Sequence, residues 1–204
     1  MTRLIPPYIC SDIKSNAERR MFQLFRDSND LKNLTCLHSL GISRHISKRH
    51  GEIDFVLVYS GVILCLEIKG GRVMRKNGLW YFVDRFGQEN RKSESPFAQA
   101  STGMYSLKNS IEERFGINNG YVFGYGVVFP DIVFDLESPE WERDLIFDLR
   151  NLSFPISKYI TNLCSFWKNR THTPLTGDTV PKSDIVNYLR GDFEPVTLLW
   201  NDVK

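Results

Sequence analysis

The sequence predicts an α/β protein in which a helix, three strands, a second helix and a further strand surround a mixed central sheet, with a helical C-terminal appendage. Two apolar runs joined by a turn, two stretches of helical spacing and one late apolar strand carry that expectation. From about Asp12 to Arg26, Ile13, Ala17, Met21, Phe22, Leu24 and Phe25 recur at helical spacing and make an amphipathic helix. Residues 28 to 50 read as polar and irregular, with a short apolar section near Leu34 to Leu40. They close in the basic cluster Arg44, His45, Lys48, Arg49 and His50. Gly51 to Gly71, GEIDFVLVYSGVILCLEIKGG, then supplies two strands folded back at Ser60-Gly61. Leu79 to Asp84, bounded by Asn77-Gly78 and Gly87, is expected to be the third strand. Pro96 suits the first turn of the second helix, whose Phe97, Ala100, Met104, Leu107 and Ile111 form an apolar stripe. Gly120 to Pro130 is the last strand. The crossover helix between it and the antiparallel hairpin makes the sheet mixed.

With 204 residues, 42% of them hydrophobic and 25% charged, the chain can bury a sizeable core, and its composition fixes its class without fixing its function. A formal net charge of +2 does not demand a polyanionic partner, so a nucleic-acid reading rests on where the charges lie. Cys10, Cys36, Cys65 and Cys164 are scattered without zinc-site spacing and are expected to be reduced thiols. No signal-peptide pattern is present, and the longest apolar stretch contains Asp54, a turn and Glu67, so a soluble, cytoplasmic protein is expected rather than a membrane one. Esterase, ATPase and dinucleotide motifs are missing from the sequence. Residues 1–130 read as the core and 131–204 as an acidic and helical extension. Its stretch Asp131 to Asp148, with Trp141, Leu145, Ile146 and Phe147 among acids, is either a face for a partner or an element packed on the home sheet.

Within the hairpin, Asp54 opens one apolar run while Glu67 and Lys69 end the next. The turn brings Asp54 back toward Glu67. Alternation sets Cys65, Glu67 and Lys69 on one face and Leu64, Leu66 and Ile68 on the other. Both runs look like strands buried on both faces, where unpaired charge is costly. Two carboxylates and an intervening backbone carbonyl form an oxygen-rich set suited to Mg²⁺ or Mn²⁺, and such an ion offsets the cost. The lysine supplies a point charge for an attacking water or a phosphate.

The segment resembles the nuclease-related domain family (NERD), a branch of the PD-(D/E)XK nucleases. The likeness lies in Gly51-Glu52-Ile53-Asp54, in Glu67-Ile68-Lys69-Gly70-Gly71, in the Trp80 strand, in Pro96-Phe97-Ala98-Gln99-Ala100 and in an upstream helix with Glu18. It spans roughly residues 12 to 130. Ile53 stands where the superfamily name has proline, as is usual in this branch. The resemblance implies a restriction-endonuclease-like α-β-β-β-α-β core and Mg²⁺-dependent hydrolysis of DNA to 5′-phosphate and 3′-hydroxyl ends. It implies Asp54 and Glu67 as metal ligands with the Ile68 carbonyl, and Lys69 as electrostatic catalyst. It also implies a partner helicase, as a domain or subunit, in DNA processing or phage defence. A non-catalytic nucleic-acid-binding or docking module of the same fold is the alternative.

Other positions carry two readings each. Glu18 shares the stripe of Phe22 and Phe25, which turns it toward the site, whereas Ser15-Asn16-Ala17-Glu18 also spells a capping box. Gln99 flanks the stripe of its helix, where an amide can hold a phosphate oxygen or face solvent; in the resembled family a glutamine there belongs to the active site. Arg44, Lys48 and Arg49 precede the site strand and Arg72, Arg75 and Lys76 follow it, as phosphate contacts or as solvated loops. Trp80 and Tyr81 can stack on bases or cover the core. The histidines His38, His45, His50 and His172 are expected at the surface or near phosphates.

Overall fold

The computed structural model describes residues 2–9, 15–42, 51–84, 86–171 and 179–192. The chain runs β1 (Arg3–Ile5), α1 (Asn16–Asp27), β2 (Thr35–Ile42), β3 (Gly51–Tyr59), β4 (Val62–Ile68), β5 (Arg72–Lys76), β6 (Leu79–Val83) and β7 (Glu89–Lys92). It continues through α2 (Pro96–Phe115), β8 (Val122–Phe129), β9 (Ile146–Asp148), α3 (Ile156–Arg170) and α4 (Lys182–Arg190). Ser60 and Gly61 both take positive φ, 53° and 75°, as do Asn77 and Gly78 at 50° and 75°. Two tight turns of the kind that matches strand twist therefore close the β3–β4 and β5–β6 hairpins.

A six-stranded sheet of order β1-β2-β3-β4-β8-β9 forms the centre. β2, β3 and β4 pair antiparallel, while β1 on β2, β4 on β8 and β8 on β9 are parallel. The expected mixed α/β fold, with flanking and C-terminal helices, is present. In this sheet the three antiparallel strands before the crossover helix are β2, β3 and β4, and β1 lies parallel on β2. Thr35–Ile42, read from sequence as part of an irregular stretch, is a strand with most of its residues buried. Leu79–Val83 lies instead in a separate sheet of order β5-β6-β7.

Alternation on β4 sorts the core into layers. Leu64, Leu66 and Ile68 pack with Met21, Phe22 and Phe25 of α1 and Ile160 and Leu163 of α3. Cys65 and Ile63 meet Met104, Leu107 and Ile111 of α2 and Ile185 of α4. A third cluster joins Trp80, Phe97, Phe129, Phe134 and Trp141, with Phe97 stacked on Trp141 at 4.6 Å between ring centres. It ties the small sheet to the large one. Trp141, Leu145, Ile146 and Phe147 are all buried in these clusters and cover the home sheet, while Val133 and Leu136 of the same stretch are exposed. Of the two readings, these four side chains fit the element packed on the home sheet. The thiols of Cys36, Cys65 and Cys164 are buried and unpaired, and burial pushes each of them up.

The fully buried Asp148 fixes the far edge. Its carboxylate accepts from Arg143 at 2.9 Å, Arg150 at 2.6 Å and the Phe134 amide at 3.1 Å. Burial alone raises such a carboxyl, but the Arg150 and Phe134 hydrogen bonds and the Arg143 charge outweigh it and hold Asp148 below its ordinary range. A folded pKa below the unfolded one gives stability that is complete above roughly pH 4 and is lost as pH falls through the folded value. Asp148→Ala is expected to cost at least about 2 kcal/mol in urea unfolding at pH 7 and to flatten the acid side of the stability profile. Parent-like stability and acid sensitivity in the variant would contradict this role.

Candidate active site

β3 and β4 stay paired from Tyr59 and Val62 to Phe55 and Leu66, then part. The next positions at this fork are Asp54 and Glu67. Asp54 Oδ2 accepts the Ile68 amide at 2.7 Å, so a side-chain carboxylate takes a donor that a continuing ladder would give to a backbone carbonyl. β4 remains tied to β8, where Lys69 N donates to Val128 O at 2.8 Å.

The other flank of β3 is also distorted here. β2 and β3 pair from Thr35 and Val58 to Ile42 and Gly51, skipping Ser39 and Asp54. Ser39 has φ 56°. Leu37 and Leu40, three residues apart, both face the α2 layer, as do Ile53 and Val56, so the alternation shifts at this step. Arg190 of α4 donates to the His38 and Ser39 carbonyls at 2.9 and 2.5 Å, satisfying backbone groups at the kink.

Two glycines bring α1 to the same place. A Cβ on Gly70 would stand 2.8 Å from the Ala17 Cβ, so a side chain there would displace the helix. Gly71 has φ +76°, and a Cβ there would stand 2.3 Å from the Val83 carbonyl oxygen. Its amide donates to Asp131 at 2.8 Å, and Asp131 also accepts from Arg20 of α1 at 3.1 Å. The Ser15 hydroxyl caps α1 by accepting the Glu18 amide at 3.2 Å, while the Glu18 carboxylate lies 3.4 Å from His38 Nε2 instead of reaching back to Ser15. His38 is buried between the rings of Phe22 and Phe55. That corrects its reading as a surface group. Its strand was masked in the sequence by the polar residues around it, and no spacing motif singles it out.

Glu67 is 4% exposed and forms an ion pair with Lys69, whose ammonium lies 5.6 Å from the centre of the Phe82 ring. Desolvation, followed by the neighbouring Glu67 charge, pushes the Asp54 carboxyl well above the ordinary range. The Ile68 amide opposes the rise, Glu18 adds to it and Lys69 pulls it back. Four charged groups thus share one electrostatic neighbourhood. Gln99 sits in the first turn of α2, partly exposed, and its side chain makes no hydrogen bond among the described residues. Arg72 and Lys76 are exposed on β5, whereas Arg75 turns to Glu140 at 2.5 Å and to the faces of Trp80 and Trp141. Arg44, Lys48 and Arg49 lie outside the described residues, as do His45, His50, His172 and Cys10.

The donor chemistry fits a hard divalent cation, because Asp54 and Glu67 offer carboxylate oxygens whose crowding leaves negative charge undercompensated. Among the described residues no three His, Cys, Asp or Glu side chains form a ready cage. Mg²⁺ commonly takes one or two carboxylates and fills its remaining positions with water and substrate phosphate.

A mixed six-stranded sheet flanked by helices is consistent with a nuclease-like fold. The family model described as "Nuclease-related domain" matches residues 13–130, more than half of the chain, and the chain belongs to that family. Membership implies interaction with nucleic acid, and nuclease-like domains generally use divalent metals. Comparisons with curated proteins and with solved structures gave no match. Among the described residues no helix is long and apolar enough to cross a membrane.

Because the folded pKa of Asp54 exceeds its unfolded value, its contribution to stability is full below roughly pH 4 and is lost as pH rises through the folded value. In metal-free buffer, Asp54→Asn keeps an oxygen for the Ile68 amide and removes the charge. The variant is expected to melt higher than the parent at pH 7 and to lose that part of the pH slope. A lower melting temperature would show that the charge itself stabilises the fork.

Proposed function

We propose that the chain is a Mg²⁺-dependent deoxyribonuclease, with Mn²⁺ able to substitute, that hydrolyses phosphodiester bonds. The observation that carries this reading is the opening of β3 from β4 at Asp54 and Glu67, which presents two carboxylates and Lys69 together at a sheet end. Asp54, Glu67 and the Ile68 carbonyl would hold the cation, which when bound acidifies water and offsets phosphate charge. The Lys69 ammonium steadies charge on the phosphate. Glu18, held near His38, orients the attacking water, and Gln99 donates its amide to a phosphate oxygen. Arg72 and Lys76, with the basic segment Arg44, Lys48 and Arg49, track the DNA backbone. Residues 1–130 form the catalytic unit in this reading, and 131–204 buttress it.

A helicase, as a fused domain or a separate subunit, supplies the motor in DNA processing or phage defence. The sequence carries no phosphate-binding loop of its own and is only mildly basic. The Lys69–Glu67 ion pair favours a second reading, in which the lysine permanently neutralises a silent site on a binding or docking module.

Incubation of the protein with linear, circular and single-stranded DNA, in Mg²⁺, Mn²⁺ or chelator, separates the two. Asp54→Ala and Glu67→Ala are expected to lose both cleavage and Mn²⁺-induced thermal stabilisation. Lys69→Ala should lose cleavage and keep metal-induced stabilisation. Gln99→Ala should slow cleavage more than it weakens binding, since one neutral hydrogen bond adds only about 0.5–1.5 kcal/mol. Metal-independent nicking that persists in all these variants would overturn the assignment. Metal-insensitive protein without cleavage would support the silent module.

A further inference from the structure

The small sheet between the site strand and α2 has two unlike faces. Val73, Trp80 and Phe82 point into the aromatic cluster, and Arg75, opposite Trp80, goes with them to the rings of Trp80 and Trp141. Alternation places Arg72, Met74 and Lys76 of β5, Leu79, Tyr81 and the buried Val83 of β6, and Glu89 and Arg91 of β7 on the opposite face, with Glu89 in the row of Arg72. Met74, Tyr81 and Arg91 stand in one row across the three strands. Arg72, Lys76 and Arg91 are exposed, Tyr81 is partly so, and Glu89 is the single acid among the three strands. β7 is an edge strand whose four residues are all exposed.

This sheet is also rooted at the site. Gly71 turns the chain from Lys69 into β5, and Phe82 lies 5.6 Å from the Lys69 ammonium. Phe82 belongs to the inner face, so the basic face is tied to the site through its Arg72 end, which follows Lys69 closely along the chain. Arg72 and Lys76, four residues apart on a strand, are separated by about 13 Å, and Arg91 is two strands away, about 10 Å. Those spans are close to the major-groove width of about 12 Å, so the face can meet backbone on both sides of one groove. Tyr81, between them, offers a ring and a hydroxyl without requiring a particular sequence.

We propose that the β5-β6-β7 sheet is a DNA-docking wing, in which Arg72, Lys76 and Arg91 contact the phosphates of duplex DNA around Tyr81 while Arg75 anchors the wing to the body. The choice of DNA rests on the nuclease reading. The wing adds to it a substrate class, double-stranded DNA bound without sequence preference.

Binding is measured in chelator, so that cleavage plays no part, by fluorescence anisotropy of a labelled duplex across a salt series. The parent is expected to bind duplex more tightly than single strand of equal length. The combined variant Arg72→Ala, Lys76→Ala, Arg91→Ala should bind at least tenfold more weakly, and its log K against log salt slope should fall by about 2–3, near 0.9 for each phosphate contact removed. Its melting temperature should match the parent's. Arg75→Ala should lower the melting temperature and leave the salt slope unchanged. The proposal is overturned by a parental slope in the triple variant, by loss of slope in Arg75→Ala alone, by equal affinity for single strands, or by no duplex binding of the parent at low salt. The two readings fail separately. Cleavage that depends on Asp54 with an unchanged triple variant leaves the nuclease and removes the wing, whereas wing-dependent binding without cleavage does the reverse.

Discussion

The bond from the Ile68 amide to the Asp54 carboxylate is the interaction on which the arrangement turns. Continuous pairing of β3 and β4 would set Asp54 and Glu67 opposite each other within a closed ladder, facing into packed layers. Ending the ladder one step earlier leaves a buried amide without a partner, a cost of about 1–3 kcal/mol unless another acceptor is found. Asp54 is that acceptor. The same residue both ends the pairing and stands at the opening it makes, so the side chain that satisfies the backbone also lies within reach of the Glu67, Glu18 and Lys69 charges.

Surrounding elements hold the fork open. Ser39 and Arg190 absorb the distortion on β2, and β8 keeps β4 in the sheet after β3 has left it. Gly70 and Gly71 serve two ends at once: lack of a side chain lets α1 approach and carry Glu18 in, and the left-handed turn sends the chain out into the small sheet. The aromatic cluster then fixes that sheet through Trp80 and Arg75. Each of these contacts positions something near the carboxylates.

Much of this was legible in residue order. The turn at Ser60-Gly61, the faces of β4, the helix start at Pro96 and the convergence of Asp54 with Glu67 all follow from local rules of period and turn. β2 was not legible, because its apolar residues are interleaved with His38, Ser39 and Gly41, and its burial depends on neighbours far along the chain. The strand Leu79–Val83 was recognised, yet its membership of a second sheet depends on β5 and β7, whose polar residues give no strand signal. His38 next to Glu18 is likewise a tertiary fact. The acidic stretch could not be decided from composition for a related reason: most of its charges are outside, Asp148 and its aromatic residues are inside, and that division is a tertiary fact.

In the proposed nuclease, Asp54 and Glu67 converge to hold one divalent cation and displace the Lys69 ammonium from its pairing with Glu67. The most direct measurement is anomalous diffraction from crystals grown with Mn²⁺. A single strong peak touching carboxylate oxygens of both Asp54 and Glu67, with the Lys69 ammonium moved off Glu67, is the predicted result. Manganese bound elsewhere while Lys69 stays on Glu67, or no peak at millimolar Mn²⁺, would contradict it.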